Sequence, residues 1–112
     1  MVENSIVYLY GFSTMLNDKL DNVIEIIEIQ IRNNYQVNLI FVHDGVIGTS
    51  KKHFVSQSME KLLSLPIKLY SLIPDLEARG IDRNKLQNKI KGISYEELVN
   101  LLVEIPKIIS WM

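Results

Sequence analysis

Cysteine is absent from all 112 residues. That excludes a disulfide framework, a thiolate metal site, a persulfide and a cysteine nucleophile. It also fits a reducing compartment, so a cytoplasmic location is expected. Charge of one sign is lacking as well: 12 Lys and Arg against 13 Asp and Glu leave a net charge of −1. A balance this even argues against broad electrostatic binding of nucleic acid. No apolar run approaches the roughly 20 residues that span a bilayer, so no membrane association is expected. Met1 to Phe12 has no basic stretch ahead of its apolar run and does not read as a signal peptide. Repeats, low-complexity segments and linkers are missing too. What remains is 47% apolar, a composition that supports a globular core rather than disorder. One domain over residues 1–112 is expected.

Strand and helix patterns alternate along the chain. Ile6–Tyr10 is a continuous apolar run ended by Gly11, as in a strand covered on both faces. Met15 to Asn33 reads as a helix. Leu16, Leu20, Val23, Ile24, Ile27 and Ile31 form one stripe at three- and four-residue spacing, with Asp18, Asp21, Glu25 and Glu28 mostly on the other side. Ile26 and Ile29 fall outside that stripe and suggest a second buried face, hence a subunit contact; the competing reading is one or two ordinary exposed isoleucines. Val37–His43 is a second buried-type strand. Asp44-Gly45 then turns the chain into a polar loop through Gly48-Thr49-Ser50. Val55, Met59, Leu62 and Leu63 are at helical spacing within Lys51–Leu65.

The last third begins at Pro66. Ile67 to Leu72, between two prolines, reads as a strand that Pro74 stops. Asp75 to Arg79 makes a short helix closed by Gly80. Lys89 to Ile93 fits another strand. Ser94 then stands three residues before Glu97, the capping-box spacing, ahead of Leu98, Leu101, Leu102 and Ile105. Trp111, after Ile108 and Ile109, suggests a terminus tied down on the sheet or on a neighbouring subunit. The fold class is therefore α/β: a mainly parallel sheet of four to five strands with helices on both faces.

In such sheets ligands bind outside the carboxyl ends of the strands. Those ends are Gly11–Thr14, His43–Ser50 and Ile73–Asp75. His43 beside Asp44 could act as a general base or contribute to a metal site. Adjacent strand residues point to opposite faces, however, and a strand-ending turn with a solvated His is the preferred reading. Gly45 and Gly48, with Thr49 and Ser50, could cradle an anion with backbone N–H groups, but the spacing is no phosphate-loop fingerprint. His43, Asp44, Gly45, Gly48 and Thr49 are kept as the candidate ligand or partner loop. Ile26, Ile29 and Trp111 are the candidate interface. No catalytic residue, metal or cofactor is expected. Lys51-Lys52-His53 with Arg83, Lys85, Lys89 and Lys91 makes the middle of the chain basic. Without aromatics interleaved among those lysines, base stacking is not signalled, and ordinary solvated loops are preferred.

Several short segments carry a resemblance. Ile67-Lys68-Leu69-Tyr70, Pro74-Asp75-Leu76, Ala78-Arg79-Gly80, the strand into Tyr95 with its following helix, and Ser110-Trp111 resemble the DsrH/TusB-like subunits of the DsrE/DsrF/DsrH sulfur-relay family. Ser5-Ile6-Val7 and Asp44-Gly45-Val46 fit as well. The resemblance implies flavodoxin-like layering and hetero-oligomers with DsrE-like and DsrF-like partners, which pass a persulfide between cysteines. DsrH members often keep a cysteine in the first helix, near Val23 here, and the loop at His43 borders the region where relatives carry sulfur. With no cysteine, this chain is expected to be a non-catalytic assembly subunit in sulfur transfer or tRNA thiolation. The alternative is a stand-alone homo-oligomer that binds a small ligand or nucleotide.

Overall fold

The computed structural model describes residues 4–15, 17–52 and 54–112. Five strands form one all-parallel sheet in the order β4-β3-β2-β1-β5. They are β1 Ser5–Tyr10, β2 Gln36–Phe41, β3 Lys68–Leu72, β4 Ile90–Ile93 and β5 Lys107–Trp111. The helices are α1 Asn17–Arg32, α2 Gln57–Leu63, α3 Ile73–Ala78 and α4 Tyr95–Glu104. The expected fold class is thus observed, with five strands. Leu16, in the expected stripe, and His53, in the expected basic run, lie outside the described residues, as does the side chain of Asp18.

Topology decides which helix covers which face. From β1 to β4 the chain steps always in one direction across the sheet, so right-handed crossovers put α1, α2 and α3 on the same face. The step from β4 back to β5 runs the other way and puts α4 on the opposite face. The register agrees. Tyr8, Leu39 and Leu69 are paired neighbours and point toward α1 and α2, whereas Val7, Ile40 and Leu72 point toward α4. The two cores are unequal. Among the described residues, eighteen buried apolar side chains lie on the α1 face, against six on the α4 face.

Local chemistry explains most element ends. Leu20, Val23, Ile24 and Ile27 of α1 are buried, each contributing about 1.5–3 kcal/mol of gross burial. Asn34 follows α1 with φ 66°, the left-handed conformation that ends a helix. Ser94 caps α4 with the full reciprocal box: its hydroxyl accepts from Glu97 N and the Glu97 carboxylate accepts from Ser94 N. β5 ties the terminus to β1, and Gly11 N donates to Trp111 O at 2.8 Å.

Three expected boundaries differ. Strand β2 ends at Phe41, because His43 adopts φ 50° and opens a 3-10 turn over His43–Val46. The helix expected from Lys51 begins only at Gln57, capped by Ser56. Upstream of it, Ser50 bridges Leu86 and Lys51 N donates to Lys85 O, which holds that backbone extended. Pro74 does not stop a strand. It lies in the first turn of α3, where its missing N–H costs nothing. Among the described residues no helix is long and apolar enough to cross a membrane.

Candidate functional site

The carboxyl ends of β1, β2 and β3 meet the start of α4 around a cleft of about 180 Å³. Leu9, Val42, Leu72, Leu98 and Met112 give it apolar walls, and His43, Asp75 and Tyr95 stand at its rim. The alternation of each strand sends Leu9 and Leu72 to this face, and the pitch of α4 brings Tyr95 and Leu98 over them.

His43 and Asp44 are adjacent in sequence and engaged separately. The backbone N–H of His43 donates to Asp75 Oδ2 at 2.7 Å. The Asp44 carboxylate accepts instead from Arg79, with Nε and Nη2 both 3.1 Å from Oδ1. Arg79 Nη1 also donates to Asp75 O at 3.1 Å. Arg79 thereby fastens the turn after β2 to the start of α3, and the left-handed His43 backbone is held in that frame. The imidazole is exposed and lines the cleft. His43 and Asp75 are therefore the polar pair at the cleft, while Asp44 belongs to an ion pair beside it.

Gly45, Gly48 and Thr49 lie on the inner side of the loop. All three are buried. A Cβ on Gly45 would overlap the carbonyl oxygen of Tyr10, and Gly48, at φ 98°, abuts the hydroxyl of Thr14. The backbone amides of Gly45, Ile47 and Thr49 donate to the carbonyls of Val42, Asp44 and Val46. The Thr49 hydroxyl donates to Val46 O at 2.7 Å. Amides consumed within their own turn cannot cradle an anion. The glycines instead let this loop close against the end of β1, where Thr14 Oγ1 donates to Ile47 O at 2.6 Å.

Burial pushes the Tyr10 phenol up to about 12, and its hydroxyl has no partner among the described residues. It is a core group below the loop, not an acid–base candidate near neutral pH. Among the described residues no group of three or more His, Asp or Glu could hold a metal ion.

The expected interface residues are scattered. Ile26 is half-buried against the chain's own α1-side core, and Trp111 packs on the same core from β5. Ile29 is 49% exposed. The residues that sequence reading passed over are Tyr95, Val99 and Val103 on α4, 58%, 55% and 78% exposed. Their four-residue spacing was the available signal, hidden beside the stronger stripe of Leu98, Leu101 and Leu102.

The DsrH like protein family model matches residues 13–108. Protein TusB of Pectobacterium atrosepticum is 36% identical over 73 residues, 65% of this chain and 73% of the relative. Protein TusB of Photorhabdus laumondii is 33% identical over 75 residues, 66% of this chain and 74% of the relative. Protein TusB of Escherichia coli K12 is 34% identical over 73 residues, with 65% and 73% covered. Among solved structures, the ychN protein of Escherichia coli superposes with a TM-score of 0.77 over 96% of this chain and 99% of that one, at 16% identity. That likeness is one of fold.

Proposed function

The chain belongs to the family of DsrH like proteins, and from that premise we propose that it is a non-catalytic subunit of a sulfur-relay complex. It assembles, as one domain over residues 1–112, with cysteine-bearing DsrE-like or DsrF-like chains in tRNA thiolation or related intracellular sulfur transfer, in the cytoplasm. One observation carries the reading: a family member similar to TusB holds no cysteine at all. The thiolate is the atom that accepts and passes sulfur, so the chain's contribution to a relay is to shape and hold a partner that has one. The cleft at His43 and Asp75 then serves as a wall beside the partner's sulfur. Its apolar lining keeps water away, and the imidazole supplies a hydrogen bond to a sulfur anion.

The alternative, a stand-alone homo-oligomer that binds a nucleotide or other small anion, is weakened by the loop itself, because Gly45, Ile47 and Thr49 spend their amides internally. Native mass spectrometry of the tagged chain from its own cells separates the two readings. The expected species contains a cysteine-bearing homologue that accepts labelled sulfur while this chain does not. A bare homo-oligomer that binds a small anion through His43–Thr49 would overturn the subunit reading.

A further inference from the structure

The α4 face of the sheet changes character along its strands. Toward the carboxyl ends it is apolar, with Val7, Ile40 and Leu72 packed beneath α4. Toward the amino ends the same alternation brings up polar residues. Ser5 is paired with Gln36, and Asn38 with Lys68. Side chains two residues apart on a strand share a face, so these four lie on the face that Val7, Ile40 and Leu72 occupy. With Leu101, Glu104 and Ile105 they line a cavity of about 390 Å³. Gln36, Asn38 and Lys68 also line an adjoining one of about 220 Å³. Small-molecule sites usually take roughly 300–1,000 Å³. The cavity lies at the opposite end of the strands from the cleft at His43 and Asp75.

Its polar groups are only partly satisfied. Asn38 is 5% exposed. Its Nδ2 donates to Ile6 O at 3.4 Å, while its Oδ1 accepts from no described residue. A buried amide oxygen is seldom left without a donor. Ser5 Oγ donates to Gln36 Oε1 at 3.3 Å, which fixes that amide and leaves its Nε2 able to donate to a ligand. Lys68 and Glu104 line the same cavity, and neither makes an ion pair with a described residue. Glu104 ends α4, so the negative end of the helix dipole adds to its carboxylate.

We propose that this cavity binds a free α-amino acid with an apolar side chain. The ligand's carboxylate lies against Lys68 and Gln36 Nε2. Its ammonium is held by Asn38 Oδ1, the Glu104 carboxylate and the end of α4. Its side chain rests on Leu101 and Ile105. Asn38 and Lys68 are rooted on neighbouring strands about 4.8 Å apart, so one small ligand reaches both. Charge selects the class. A simple anion would be set against Glu104 and a simple cation against Lys68, whereas a zwitterion pairs with both. A neutral polyol would leave both charges without a partner. The site is separate from the surface that the subunit reading uses, and either can stand without the other.

The test titrates L-leucine into the full chain and follows backbone amides by NMR. Saturable shifts centred on residues 5–7, 36–38 and 68–70 are expected. N-acetyl-L-leucine, which lacks the ammonium, and L-leucinamide, which lacks the carboxylate, should each bind tenfold or more weakly. Lys68→Met and Glu104→Gln should each weaken L-leucine by a similar factor. Both positions are exposed, so these variants should melt no lower than the parent. Lys52→Glu, outside the cavity, should change affinity less than twofold. Equal binding of the three ligands, or indifference to both cavity variants, overturns the zwitterion site. So does a failure of L-leucine, L-methionine and L-phenylalanine alike to saturate, or shifts confined to the cleft at His43 and Asp75. None of these results touches the subunit reading, which native mass spectrometry decides.

Discussion

Gly45 holds the turn after β2 against the end of β1, and no larger residue can. The Cβ of Gly45→Ala would meet the Tyr10 carbonyl oxygen, a backbone atom that cannot swing aside. We expect a loss of about 1–3 kcal/mol from such overpacking, read as a lowered urea midpoint with an unchanged slope. Tyr10, beneath it, gives a pH signature. Its phenol titrates near 10 in the unfolded chain and is pushed up to about 12 by burial in the folded one. Between those values the unfolded state loses a proton that the native state keeps, so stability should fall as pH rises from 10 to 12. The loss is at most on the order of 2–3 kcal/mol. Tyr10→Phe should make that limb shallower, with Tyr8 and Tyr70, also raised by burial, keeping part of it, and should cost little at pH 7, because the hydroxyl it removes has no partner among the described residues. Unfolding midpoints at pH 7 and pH 11 check both statements. At this scale the sequence was a partial guide. Asp44-Gly45 was legible as a turn, but that its glycines close the loop onto β1, and that Arg79 claims Asp44 from 35 residues away, depends on contacts that no local pattern encodes.

Elements were more legible than their edges. The stripe of α1 and the Ser94-to-Glu97 box of α4 both describe local physics, and both stand where the spacing puts them. Ser94→Ala removes one hydrogen bond of that box and should cost about 1 kcal/mol, seen as a fall of a few degrees in melting temperature, with amides at the start of α4 exchanging faster. The start of α2 was misread because Lys51 and Lys52 suit a helix as well as a loop. The bridge from Ser50 to Leu86, a tertiary contact, decides for the loop. β5 was legible only as a tied-down terminus. Its role as the fifth strand follows from the return of α4 across the sheet, and strand order is a non-local property that periodicity does not report. Ile26 looked like surplus hydrophobicity on α1 and proves half-buried against the chain's own core, whereas the exposed stripe of α4 is visible only once its sheet-facing side is known.

The whole molecule is a three-layer fold whose α4 side leaves Val99, Val103, Ile108 and Met112 exposed, and that surface makes a prediction about how it associates. If Val99, Val103, Ile108 and Met112 are buried when a partner docks, affinity should come mainly from apolar contact. Against a partner that presents Lys or Arg, the carboxylates of α4, Glu96, Glu97 and Glu104, should act chiefly on the rate of encounter. Raising ionic strength from 0.05 M to 0.5 M would then slow association with a cysteine-bearing partner several-fold, because exposed charges are screened within a few ångströms at the higher salt. Dissociation should hardly change. Val103→Asp should do the reverse, leaving the association rate within about threefold and speeding dissociation tenfold or more. Surface plasmon resonance across a salt series, with the parent and Val103→Asp on one chip, reads the two rates separately. A complex held instead by the basic segment around Lys51, Lys52, Arg83 and Lys85 would lose its affinity with salt and ignore Val103. The net charge of −1 cannot distinguish these cases, since it averages an acidic helix and a basic loop that the fold places on different faces. The division of the two rates can, because one reports the field around the molecule and the other reports what is buried when it docks.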